Sequence, residues 1–109
     1  MTKVTIYKNE TDECVGFRAI GHAGYSQEGE DIVCAAISIL TINTINAIEV
    51  FTDTLTASDS DEEQGMIDYR VLKPTKETTL LLDTMVLGLQ TMADDEFYAD
   101  YIDLIFEEV

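Results

Sequence analysis

The sequence predicts an α+β fold of order β-β-α-β-β-α-β, a largely antiparallel sheet with two helices packed on it. Short stretches of alternating apolar and polar residues come in pairs divided by turn-forming residues, the mark of hairpins. Two longer stretches repeat their apolar residues at helical spacing or carry them nearly all round. With 109 residues the chain is too short to split into two pieces that each bury a core, so residues 1–109 are expected to form one domain.

The elements follow in order. Val4 and Ile6 alternate with Thr5 and Tyr7, residues 9–13 interrupt, and Val15, Phe17 and Ala19 resume the pattern, which reads as a hairpin. Residues 21–30 form a loop with three glycines, Gly21, Gly24 and Gly29, and Gly21 is the expected hinge, in a conformation open only to glycine. From Asp31 the stretch DIVCAAISILTINTINAIEVF carries apolar side chains on nearly all sides; its length favours a buried helix, with Asp31 as N-cap. Residues 53–57 and 66–72 alternate again across an acidic turn at 58–65, a second hairpin. After Pro74 and Thr75, residues Leu80, Leu81, Met85, Val86, Leu89 and Met92 recur at helical spacing. Ile102, Leu104 and Phe106 alternate as a final strand.

Composition narrows the function classes. Apolar residues at 46% and charged residues at 26% are the proportions of a globular protein, not of a disordered chain. No apolar run approaches the length of a membrane span, and the start MTKVTIYKNE alternates like a strand without a signal-peptide core. A cytoplasmic location is expected, where Cys14 and Cys34 stay reduced. A net charge of −16 repels phosphates, which argues against nucleic-acid and anionic-membrane binding and for basic partners; acidity serving solubility alone is the competing reading. No phosphate-cradling glycine motif is present and no cofactor is implied.

The chemistry centres on two residues. His22, the only histidine, sits in a glycine-flanked loop, and Cys34 follows twelve residues later just inside the first helix. With Asp31 as N-cap, Cys34 occupies the third helical position, where unpaired N–H groups and the helix dipole stabilise a thiolate and offer an oxyanion hole. A cysteine beside a histidine is the minimal apparatus for acyl transfer: Cys34 attacks a carbonyl, and His22 holds the proton and returns it to the leaving amine. Against this stands the ordinary role of a free cysteine as core. Asp31 either orients His22 or only caps the helix. Ser38, four residues after Cys34, either donates into the site or bonds its own i−4 carbonyl. Cys14 reads as packing, and a zinc site from Cys14, His22 and Cys34 lacks a fourth soft ligand, so no metal is expected.

The segment Gly21-His22-Ala23, followed by Gly29-Glu30-Asp31-Ile32-Val33-Cys34-Ala35-Ala36-Ile37-Ser38, closely resembles the signature of the bacterial ribosomal-processing cysteine proteases, the Prp (YsxB-like) family. Chain length, the two-helix layout and the second helix around Leu87-Gly88-Leu89 also look like that family; residues 97–101 lack the proline often seen there. The resemblance implies that His22 and Cys34 are the catalytic pair, with Asp31 and Ser38 in support. It implies removal of an N-terminal extension from the large-subunit ribosomal protein numbered twenty-seven, cut after paired aromatic residues, by a homodimer. The alternative is a non-catalytic ribosome-assembly or ribosomal-protein-binding module whose Cys34 is core.

Overall fold

The computed structural model describes residues 1–21 and 28–109. His22 and Gly24 lie outside the described residues. Five strands, β1 (Thr2–Lys8), β2 (Cys14–Ile20), β3 (Thr56–Asp61), β4 (Met66–Val71) and β5 (Ile102–Glu108), form one sheet in the order β3-β4-β2-β1-β5. Helices α1 (Glu28–Phe51) and α2 (Lys76–Asp94) complete the expected β-β-α-β-β-α-β order. All strand neighbours are antiparallel except β1 and β5, which run parallel.

The first hairpin closes where residues 9–13 break the alternation. Asn9 organises the turn: its Oδ1 accepts from the N–H groups of Thr11 and Glu13, at 3.1 and 2.9 Å, and Asp12 takes the left-handed conformation at φ 63°. Aspartate is among the few non-glycine residues that adopt that conformation readily. Val4, Ile6, Phe17 and Ala19 then point to one face of the sheet and join Val33, Ile37 and Ile48 of α1 and Leu82, Met85 and Leu89 of α2 in the core. The helices lie against each other at Gly88, where an added Cβ would come within 3.2 Å of the Leu40 methyl groups.

Several sequence expectations change. The acidic stretch Ser58-Asp59-Ser60-Asp61 is strand, not turn; the turn is confined to 62–65, and residues 53–55 precede the strand. An edge strand with solvent around it accepts carboxylates that a central strand could not. In α2 the buried positions are Thr78, Leu82, Met85 and Leu89, whereas Leu80 faces solvent on the opposite side.

α1 begins at Glu28, so Gly29 belongs to the helix rather than the loop. It is also not buried all round: Ile32, Ile39, Ile42, Val50 and Phe51 are exposed. The stretch Glu30–Phe51, at mean hydropathy 1.7, is long and apolar enough to cross a bilayer, correcting the expectation that no run is. Its Val33, Ile37 and Ile48 side chains nevertheless pack into the core, as those of a core helix do. At the start of α2, Thr75 is the N-cap, accepting from Thr78 N–H at 3.2 Å while Thr78 Oγ1 accepts from Thr75 N–H at 2.8 Å.

Candidate active site

Three segments converge on Cys34. α1 brings Cys34 and, one turn on, Ser38; the end of β2 brings Gly21; the β3–β4 turn brings Glu62 and Gly65. Together with Ala19, Ile67 and Ser60 from the face of the sheet, they line a cleft of about 390 Å³. Cys34 is half-buried in its wall, whereas Cys14 is fully buried. Burial pushes the Cys14 thiol up from its ordinary range, and its Sγ lies 3.7 Å from the Gly16 carbonyl oxygen. Cys14 is core, as the sequence indicated.

The wall opposite Cys34 owes its shape to Gly65. Asp61 Oδ1 accepts from the N–H groups of Glu63 and Gln64, at 3.0 and 3.4 Å, and folds the chain back after β3. Gly65 closes the turn at φ 60°, in the left-handed region that glycine enters at no steric cost. Its carbonyl accepts from Gly21 N–H at 3.1 Å, and a Cβ on Gly65 would lie 2.3 Å from the Gly21 carbonyl oxygen. Two main chains therefore touch here, and they fasten the residue before His22 to the second hairpin.

Gly21 is not in the glycine-only conformation that the sequence suggested for it. Gly65 alone among the described glycines has a positive φ, and Gly21 N–H is tied to Gly65. What Gly21 supplies is room: a Cβ there would sit 3.1 Å from Thr2 Oγ1 and 3.6 Å from Cys34 Sγ.

Asp31 is not the N-cap, because α1 starts three residues earlier; it is an exposed residue at the end of the first turn. Cys34 correspondingly lies six residues after Glu28, roughly 9 Å along the axis. Among the described residues the N–H groups without helical acceptors are those of residues 28–30, so the dipole and oxyanion-hole argument made for a third-position cysteine does not apply. Ser38 is exposed on the cleft wall, not buried as the back-bonding alternative supposed. Thr41 makes that kind of bond instead, its Oγ1 donating to Ile37 O at 2.8 Å.

The structure thus brings together Cys34, Ser38 and Gly21, keeps Asp31 one turn before Cys34, and leaves His22 outside the described residues. Sequence reasoning missed the contributions of Thr2, Asp61, Glu62 and Gly65 to the cleft. Only Gly65 carried a signal, as a glycine ending a polar run, and that signal indicated a turn without indicating what the turn would meet. Among the described residues no group of three or more His, Cys, Asp or Glu is placed to hold a metal ion.

With this geometry in view, comparison with known proteins is specific. The family model described as "Cysteine protease Prp" matches residues 1–103. The ribosomal processing cysteine protease Prp of Bacillus subtilis is 26% identical over 100 residues, covering 87% of this chain and 89% of that protein. The crystal structure of a ribosomal processing protease Prp from Staphylococcus aureus in complex with a substrate peptide superposes with a TM-score of 0.90. It is 29% identical and covers 98% of this chain and all of that one. A second structure from that organism, with a covalently linked product peptide, gives 0.84 at 30% identity, with 98% of this chain and 100% of that one covered. The half-buried thiol in an open cleft therefore sits on the scaffold of a known peptidase, and the chain belongs to the Prp family of cysteine proteases.

Proposed function

We propose that this chain is a cytoplasmic endopeptidase that removes the N-terminal extension of a bacterial large-subunit ribosomal protein precursor, number twenty-seven, with Cys34 as nucleophile. The observation that carries this reading is Cys34 itself: a half-buried thiol in the wall of a cleft. His22 takes the thiol proton as sulfur attacks the scissile carbonyl, and returns it to the leaving amine as the tetrahedral intermediate collapses to a thioester. Water, giving its proton to His22, then releases the acyl fragment and restores the thiol. Asp31, one turn before Cys34, is assigned to orient His22, and Ser38 to donate into the cleft.

Charge supports a basic substrate. Asp61 and Glu62 stand at the cleft in a chain of net charge −16, and ribosomal proteins are basic, so long-range attraction speeds their encounter.

A homodimer is part of this reading. Ile32, Ala35, Ile39 and Ile42 are exposed on α1 at alternating spacings of three and four. That is the spacing of a seam between helices, and a second copy of α1 would cover it. Ile39→Glu with Ile42→Glu should give a monomer in sedimentation.

The activity is tested by mixing the protein with a peptide spanning the precursor's cleavage junction and reading the products by mass spectrometry. One cleavage after paired aromatic residues is expected. Binding without cleavage would favour a non-catalytic ribosomal-protein-binding module.

A further inference from the structure

β3 lies at one edge of the sheet, bonded to β4 on one side and without a strand partner on the other among the described residues. Which of its groups face outward follows from the register. Leu72 N–H donates to Leu55 O at 2.8 Å, and with Thr56 opposite Val71 the pair Leu55/Leu72 is of the hydrogen-bonded kind. Antiparallel pairs alternate, so Ala57, Asp59 and Asp61 turn their amides and carbonyls to β4. Thr56, Ser58 and Ser60 turn theirs outward.

This free edge is continuous with the cleft. Ala19 on β2 pairs with Ile67 on β4, which pairs with Ser60 on β3, and all three line the cleft that holds Cys34. The row is a floor running from the thiol to the outward-facing backbone of Ser60. Two strand spacings take the floor from β2 to β3 and a third reaches an added strand, about 14 Å in all. An extended peptide covers that in about four residues.

The charge of the strand selects among occupants. Asp59 and Asp61 lie on β3, and Glu62 and Glu63 at its tip. A second copy of this edge would set carboxylates against carboxylates, which is how edge strands avoid pairing with themselves. A basic peptide meets the opposite situation.

The geometry points to the free edge of β3 as a remote part of the substrate site: a basic stretch about four residues from the scissile bond adds there as a sixth strand, its main chain bonded to Ser58 and Ser60. This rests on the proposed peptidase activity and extends it. Main-chain pairing at an exposed edge supplies affinity with little regard for sequence, so the cleft alone chooses the bond that is cut.

The test uses the wild-type enzyme and synthetic junction peptides, each N-methylated at one residue four or more positions from the scissile bond. Methylation should raise KM about tenfold, the equivalent of 1.4 kcal/mol, at every second position and leave the positions between within about twofold, with kcat unchanged throughout. In parallel, peptide bound to Cys34→Ala should slow hydrogen exchange at the Ser58 and Ser60 amides, while Asp59, already bonded to β4, changes little. If the unmodified peptide is cut but methylation has no period of two, or Ser58 and Ser60 exchange as fast with peptide as without, the edge is not used. If the unmodified peptide is not cut at all, the proposed activity fails and the docking falls with it.

Discussion

Replacing Gly65 by alanine strikes the one place where two main chains of the cleft touch. The left-handed conformation at φ 60° costs a residue with a Cβ about 1–2 kcal/mol. The new Cβ would also start 2.3 Å from the Gly21 carbonyl oxygen, and the gap must open to 3.0 Å before the contact is tolerable. A displacement of at least 0.7 Å follows, enough to stretch and weaken the bond from Gly21 N–H to Gly65 O, now 3.1 Å long. That bond contributes about 1 kcal/mol. The sum, about 2–3 kcal/mol, corresponds to a fall of roughly 10 °C in Tm for a chain of this size. Gly21 moves with it, and a misplacement approaching 1 Å near a reacting thiol lowers kcat/KM by about 10–100-fold. Gly65→Asn separates the two causes, since asparagine tolerates the conformation but keeps the Cβ. Differential scanning calorimetry and peptide-cleavage kinetics on both variants are the assay, with Asn expected to recover part of the Tm and little of the activity. A Gly65→Ala protein with the parent's Tm and kcat/KM would refute the reasoning.

Three further outcomes are expected. Iodoacetamide should label Cys34 well before Cys14, because Cys14 is fully buried and burial holds it as the thiol; equal rates by peptide mapping would contradict this placement. Tyr69, buried beneath α1, is pushed up from 10.0 to about 12 by burial. The folded state then holds the phenolic proton more tightly than the unfolded, so stability is intact below pH 10 and lost as pH climbs from 10 toward 12. Tyrosinate absorbance should show Tyr69 titrating near pH 12 in the folded protein, and its ionisation near pH 10 there would count against its burial. Capture of a basic precursor should slow as salt rises, since attraction between separated charges is screened over about 8 Å at physiological ionic strength; kcat/KM independent of salt would leave the acidity a matter of solubility.

Much of the fold was legible in the sequence because alternation and helical spacing are local. Val4, Ile6, Phe17 and Ala19 alternate because one face of the sheet is core, and Met85 and Leu89 repeat because one side of α2 is. β5 declared itself by Ile102, Leu104 and Phe106, although its parallel pairing with β1 depends on chain path and not on pattern. The second hairpin was misplaced because Ser58 to Asp61 are polar on both faces, and only their position at a sheet edge makes them strand. Asp31 was misread for a related reason: aspartate is a good N-cap, but it is equally at home in a first turn, where it favours the dipole, and Gly29 was read as one of the loop's glycines.

The site was legible only in part. Cys34 stood out by its distance from the sole histidine and by the motif around it. The opposite wall comes from a hairpin some thirty residues on, and no local rule ties Gly65 to Gly21.

The central claim, that the Cys34 sulfur performs the cleavage, is tested most directly by turnover of the junction peptide with Cys34→Ala. Little buried area is lost on removing one sulfur from a half-buried position, so the variant should unfold at a temperature near the parent's. Cleavage should fall to background, while Cys14→Ala, for which repacking around a small core void is expected, still cuts at the same bond. Undiminished cleavage by a folded Cys34→Ala protein free of contaminating peptidase would contradict the account.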